Sequence, residues 1–138
     1  MKKVVVGIIA VIVLCGIGIY SYINITTKNS FKIKQLSWDG NGQLWTDNSK
    51  NNIYDINFGS LNGSDTKEII SKKNAYKIKI NSNIEKGNMD LKIYNNSKVL
   101  FEKNGSINQT IKLGDSTKDL KIKITGKNAK GSIIIKFS

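Results

Sequence analysis

The sequence contains no arginine, no histidine and no proline, and its one cysteine, Cys15, lies inside an N-terminal apolar run. Each absence removes a class of function. Without histidine there is no Ser-His or Cys-His pair and no imidazole-ligated metal, and a thiol confined to residue 15 leaves the rest of the chain no thiolate chemistry. It also leaves no disulfide, so the folded part is stable from packing alone. Arginine is the residue that reads phosphate and guanine edges bidentately and stacks on bases. Despite a net charge of +12, no nucleic-acid partner is therefore expected. All 22 basic residues are lysine. Abundant asparagine and isoleucine beside the missing proline and histidine match the coding bias of an AT-rich bacterial genome, which supplies lysine without selection for a basic surface.

Residues 4–23 (VVVGIIAVIVLCGIGIYSYI) run for twenty positions without a charge and follow Lys2 and Lys3. As a helix this run spans about 30 Å, the thickness of a bilayer's hydrocarbon core. The two lysines favour a cytoplasmic N-terminus, and Tyr20 and Tyr22 fall where aromatic rings sit at the outer interface. The expected organisation is an uncleaved single-pass membrane anchor at 1–23, a stalk at 24–30 (NITTKNS from Asn24) and one extracytoplasmic domain at 31–138, located at the cell membrane. Two alternatives stay open. A secretory signal cleaved near Gly16 and Gly18 would release a secreted protein. A lipoprotein signal would use Cys15, although Leu14 stands where a small residue belongs and apolar sequence continues to Ile23.

From Phe31 onward apolar residues alternate with Lys, Asn, Ser or Asp at the period of two that a half-buried strand needs. No helix-period stretch follows Ile23. Phe31 and Ile33 lead to Leu36 and Trp38, a change of phase that suggests a bulge. Asp39-Gly40-Asn41-Gly42 and Leu61-Asn62-Gly63-Ser64-Asp65 read as turns, with Leu44, Trp45 and the stripe Tyr54, Ile56, Phe58 between them. Val99, Leu100 and Phe101 supply a further strand after the turn Asn95-Asn96-Ser97.

Residues 66–93 match residues 110–137 at a constant offset of 44. Tyr76-Lys77-Ile78-Lys79-Ile80 meets Leu120-Lys121-Ile122-Lys123-Ile124, and Lys86-Gly87 meets Lys130-Gly131. Met89, Leu91 and Ile93 meet Ile133, Ile135 and Phe137. Roughly eight to ten short strands, each with one apolar face, need two sheets face to face or a closed barrel. The expected fold is all-β: a two-sheet antiparallel, jelly-roll-like β-sandwich preceded by one N-terminal transmembrane helix. Lysine at each outward position of 76–80 and 120–125 keeps sheet faces wet and discourages edge-to-edge pairing.

The pattern Tyr76-x-Ile78-x-Ile80, then Gly87-x-x-Asp90-Leu91-x-Ile93-Tyr94-Asn95-Asn96, then Leu120-x-Ile122-x-Ile124 and Gly131-Ser132-Ile133-Ile134-Ile135, resembles bacterial pre-peptidase C-terminal domains. Endings like Thr125-Gly126-Lys127-x-Ala129-Lys130-Gly131 also resemble those of small anchored or lipidated proteins of low-GC Gram-positive bacteria. The resemblance covers residues 66–138 and implies a secreted β-sandwich. Some relatives of this type bind collagen and calcium. Neither ligand carries over, because within the quoted motif only Asp90 is acidic.

Trp38 and Trp45 flank the Asp-Gly-Asn-Gly segment and, with Asp39 and Asn41, are the candidate ligand-binding residues, since exposed aromatics stack on sugars. The competing reading places both indoles in the core at one end of the sandwich. Ring exposure decides between them. A carboxylate pair drawn from Asp39, Asp47 or Asp55 beside the indoles is the enzymatic alternative. Asp39-x-Asn41 has the spacing that opens a calcium loop, but Lys50 stands where the twelfth-position glutamate belongs, so no metal and no cofactor are expected. Removing Lys2 and Lys3 leaves 20 lysines against 10 acids outside. The expected function is a non-enzymatic binding or envelope-interaction module, with an anionic cell-wall polymer or a glycan as partner. A cell-wall enzyme or enzyme subunit and a structural spacer are the alternatives.

Overall fold

The alternating pattern becomes seven antiparallel strands: β1 Phe31–Gln43, β2 Thr46–Asp47, β3 Ile53–Ser71, β4 Tyr76–Tyr94, β5 Val99–Asn104, β6 Ile107–Leu113 and β7 Leu120–Phe137. The computed structural model describes residues 31–114 and 118–138. The expected anchor at 1–23 and stalk at 24–30 lie outside the described residues, among which no helix is long and apolar enough to cross a membrane. The strands are hydrogen-bonded in the order β1-β3-β7-β4-β5, with β2 added on β3 and β6 on β4. The fold is all-β and antiparallel, as expected. The strands are fewer because β3, β4 and β7 run for 19, 19 and 18 residues. Straight, each would reach about 60 Å, much longer than a domain of this size is wide.

They bend, and the burial pattern records where. In β3 the inward alternation runs through Tyr54, Ile56 and Phe58, then Leu61, Asp65, Lys67 and Ile69, with Thr66 also buried between Asp65 and Lys67. Even positions face inward before the corner and odd positions after it. β4 switches from Tyr76, Ile78, Ile80 and Ser82 to Met89, Leu91 and Ile93, and β7 from Leu120, Ile122 and Ile124 to Ala129, Ile133, Ile135 and Phe137. Irregularities in the β3–β7 and β4–β7 ladders fall at these switches, between Phe58 and Gly63 and between Ile84 and Asn88. A one-residue slip exchanges inward and outward side chains and kinks the strand. Three slips at one level fold the sheet over on itself.

The first layer holds residues 53–58 of β3, 131–137 of β7 and 76–84 of β4, with β2 and β6 at its edges. The second holds β1, residues 61–71 of β3, 120–129 of β7, 87–94 of β4, and β5. Phe31 of the second layer packs on Tyr76 and Phe137 of the first, with ring centroids 5.1 and 5.7 Å apart. The result is sandwich-like, but made from one continuous sheet instead of two separate ones.

The segments read as turns at 39–42 and 61–65 lie inside β1 and β3, where Gly40 stands opposite Gly63. A corner in a strand and a hairpin turn draw on the same residue type. At Gly87 φ is 71°, and a Cβ would stand 2.1 Å from the Asn128 carbonyl oxygen. At Gly131 φ is 154°, and a Cβ would stand 2.1 Å from the Asn83 carbonyl oxygen. Only glycine fits there. Asn95-Asn96-Ser97, by contrast, does turn the chain: Asn95 Oδ1 accepts the N–H groups of Ser97 and Lys98 at 3.0 and 2.9 Å, the side chain mimicking a backbone turn.

The 44-residue offset has a spatial counterpart. Its two copies include β4 and β7, which are neighbours. Ile69 on β3 pairs with Leu120 on β7, and Leu113 on β6 pairs with Tyr76 on β4, the same contact displaced by the offset. Lys86 pairs with Lys130, its own counterpart. An approximate two-fold axis therefore passes between β4 and β7 at that pair and exchanges the two layers.

Candidate functional site

β1 ends at Gln43 in the second layer, and the chain crosses to β2 in the first through Leu44, at φ 52°, and Trp45. β2 is two residues long and covers little of the inner face of β1. Trp38 stays 41% exposed, whereas Trp45 stacks on Phe58 with centroids 6.3 Å apart. The two indoles meet at 4.4 Å with their planes inclined by 57°. Together with Gly40, Asn41, Gly42 and Gln43 they line an open groove of about 560 Å³. A side chain at Gly42 would put its Cβ 3.1 Å from the Trp38 ring, so the bare backbone lets the indole lie close.

Of the four residues singled out in the sequence, Trp38, Asn41 and Trp45 converge on this groove. Asp39 is exposed, stands opposite Ser64 and is outside the groove's lining. Gln43 joins the site without a signal of its own beyond its place between Asn41 and Trp45. The two readings of the tryptophans divide between them, with Trp45 a core partner and Trp38 available to a ligand.

The same side of the molecule contains a buried ionic cluster. Lys67 and Asp65 are 3% and 1% exposed, and their charged atoms lie 3.6 Å apart. Lys67 Nζ is 2.5 Å from Asp47 Oδ2, also donates to Gln35 Oε1, and lies 5.8 Å from the centroid of the Tyr54 ring. Gln35 Nε2 donates to Asp65 Oδ1 at 2.5 Å and the Tyr54 hydroxyl donates to Asp65 Oδ2 at 3.0 Å. Every charge has a partner, which is the condition for burying charge at all. Burial, with the Asp65 carboxylate alongside, pushes the Tyr54 phenol well above its ordinary 10.0. Burial also works to raise Asp47, but hydrogen bonds from Lys67 and Ser49 outweigh it and hold the carboxyl below 3.8.

The cluster joins β1, β2 and both halves of β3, and so clasps the two layers along one side. Under the two-fold, Asp65 and Lys67 correspond to Gln109 and Ile111, and the clasp has no counterpart. The opposite side is closed by the chain itself as it passes from β5 to β6. There Ser82 Oγ accepts the Ile107 N–H at 2.8 Å and donates to the Gly105 carbonyl at 3.2 Å.

Among the described residues no group of three or more acidic residues is placed to hold a metal ion. Asp47 is engaged by Lys67, and Asp55 stands opposite Ile134 in the first layer.

No protein-family model and no curated protein matches the chain. Solved structures that resemble it in part include PirA, 10% identical over 65% of this chain and 96% of that one, with a TM-score of 0.38. Drosophila melanogaster CENP-C bound to CAL1 is 11% identical over 77% of this chain and 80% of that one, TM-score 0.38. The CBM22-1–GH10 modules of Clostridium thermocellum xylanase 10B, complexed with xylohexaose, are 14% identical over 80% of this chain and 25% of that one, TM-score 0.36. Superpositions this loose define neither a family nor a ligand.

Proposed function

We propose that the chain is a membrane-anchored, extracytoplasmic binding module of a bacterial envelope, without a catalytic step of its own, and that a sugar ring of an envelope glycan stacks in the Trp38–Trp45 groove. The observation that carries this reading is the half-exposed Trp38 ring set against Trp45 above Gly42, with Asn41 and Gln43 in the same lining. An indole face offers apolar area to the C–H face of a sugar, and a few polar groups beside an apolar wall fix orientation. The anchor rests on the uncharged run at 4–23. The finer jelly-roll-like description and the kinship with pre-peptidase C-terminal domains rest on the strand motifs of 66–138. The enzymatic alternative has less support, because Asp47 is committed to the ionic cluster, Asp55 stands opposite Ile134 in the first layer and Asp39 stands outside the groove.

The test is a titration of the full-length chain, in detergent micelles, with neutral oligosaccharides, followed by tryptophan fluorescence at low and high salt. The expected result is salt-resistant binding that Trp38→Ala weakens roughly tenfold or more, the scale of about 1.4 kcal/mol for one aromatic stack. Trp45→Ala should lose binding too, but it also removes packing from Phe58, so Trp38→Ala is the cleaner variant. Binding unchanged by Trp38→Ala, or no response to any neutral oligosaccharide, refutes the groove.

A further inference from the structure

Lysine alternation along β4 and β7 does not serve to protect sheet edges, because neither strand is an edge: β7 lies between β3 and β4, and β4 between β7 and the pair β5 and β6. On the outer face of the first layer Lys79 stands directly opposite Lys136, and Lys77 directly opposite Lys112. All four are exposed, and none forms an ion pair among the described residues. Like charges directly opposite each other weaken a ladder. Between Lys79 and Lys136, lined also by Asn81 and Ile134, lies a shallow depression of about 140 Å³.

The two-fold supplies an internal comparison. The counterparts of Lys77, Lys79, Lys112 and Lys136 are Lys121, Lys123, Glu68 and Lys92, on the outer face of the second layer. There Lys121 stands opposite Glu68, and Lys92 pairs with Glu102 at 3.0 Å. On that face Glu68 and Glu102 thus stand directly opposite Lys121 and Lys92, although Lys123 faces Lys92 as Lys79 faces Lys136. Among the described residues of the first layer no acidic residue stands directly opposite any of the four lysines, and Asp55 lies across from Ile134. A coding bias toward lysine acts on both halves alike and does not produce that difference.

We infer that the outer face of the first layer, through Lys77, Lys79, Lys112 and Lys136, is a docking surface for a linear polymer whose repeating charged group is phosphate. Its phosphates would sit over the Lys79–Lys136 depression and over the neighbouring Lys77–Lys112 pair. The two pairs are two residues apart along β4, about 7 Å, so one extended chain with regularly spaced phosphates meets both. The lysine ammonium is a compact point charge suited to phosphate. With no arginine and no aromatic ring on this face, charge spacing alone is recognised. A bilayer surface would gain from apolar side chains that insert, and the exposed large ones, Leu36, Trp38, Leu44, Ile70 and Val99, all lie elsewhere. The surface shares no residue with the Trp38–Trp45 groove, and neither proposal depends on the other.

The test titrates the full-length chain, in detergent micelles, with long-chain inorganic polyphosphate across a range of salt. Lys79→Gln/Lys136→Gln is compared with its two-fold counterpart Lys92→Gln/Lys123→Gln, which removes the same charge. The expected result is that the first pair weakens binding roughly tenfold at low salt and lowers the slope of log K on log salt by about 1.5, the counterion release of two contacts. The counterpart should change affinity less than about twofold. The first pair should also melt no lower than the parent, since it relieves a like-charge contact, and Trp38→Ala should leave polyphosphate binding unchanged. Equal weakening by both pairs would reduce the effect to diffuse net charge and overturn the inference. So would inorganic phosphate binding as tightly as polyphosphate, or short-chain phosphatidylglycerol binding more tightly than polyphosphate in a Lys79-dependent way.

Discussion

Replacing Lys67 with alanine is expected to cost about 3 kcal/mol of folding free energy, the low end of the about 3–5 kcal/mol lost when one partner of a buried ion pair is removed. The low end applies because Tyr54 and Gln35 still donate to both oxygens of Asp65, and because Asp47 is partly open to water, with 31% of its side chain exposed. For a domain of this size the melting midpoint should fall by roughly 12–24 °C. The clasp itself need not be net stabilising against an apolar replacement. Lys67→Met combined with Asp65→Asn removes both charges, keeps an acceptor for the Tyr54 hydroxyl, and should recover most of the loss, a coupling of about 1.5–3 kcal/mol. Urea unfolding of Lys67→Met, Asp65→Asn and the double variant measures this coupling directly. A Lys67→Ala loss below about 1 kcal/mol would mean that water reaches the cluster and that it does not hold the layers together.

Alanine at glycines of the connections and of the strand corners should produce a graded series. At Gly114 a Cβ meets nothing within 4 Å and φ is not positive, so the change should be near zero. At Gly105 φ is 73° with open space around it, which leaves only the backbone term, about 1 kcal/mol. At Gly87 and Gly131 the new methyl group would stand 2.1 Å from a carbonyl oxygen of the neighbouring central strand. Backbone strain and overpacking then add to about 3 kcal/mol at each. Since the two-fold exchanges Gly87 and Gly131, their losses should agree to within about 1 kcal/mol. Denaturant midpoints at constant m-value are the readout. Gly87→Ala no more costly than Gly105→Ala would show that β4 and β7 separate easily at the corner, contrary to the close approach described.

The strands themselves were legible in the sequence. The period of two from Phe31 onward, the shared phase of 76–80 and 120–124, and the turn at Asn95-Asn96-Ser97 all correspond to observed elements, because an inward face repeats every second residue whatever the sheet does next. The corners were not legible as corners. Gly63, Gly87 and Gly131 supply the backbone freedom that a hairpin turn would also use, and only the pairing of β7 with β3 and β4 along its whole length tells the two apart. Long strands were therefore read as pairs of short ones. The clasp was hidden for a different reason: Asp65 and Lys67 are the types that default to water, and their burial depends on Gln35 and Asp47, distant in sequence. The groove lay between these cases. Trp38, Asn41 and Trp45 are close in the chain and were found together, but which indole is exposed follows from the shortness of β2, and that is a tertiary fact.

Phe31, the first described residue, is also a core residue, wedged against Tyr76 and Phe137 at the end of the stack. β1 runs from it along the margin of the sheet, with Phe31 opposite Ser71 and Gln43 opposite Ser60. A pull applied ahead of Phe31 therefore reaches the core without slack. Once that ring is drawn out, tension falls on the Phe31 end of β1, and the strand peels from β3 one residue pair at a time instead of shearing along its whole length. Mechanically, one aromatic plug guards a zipper.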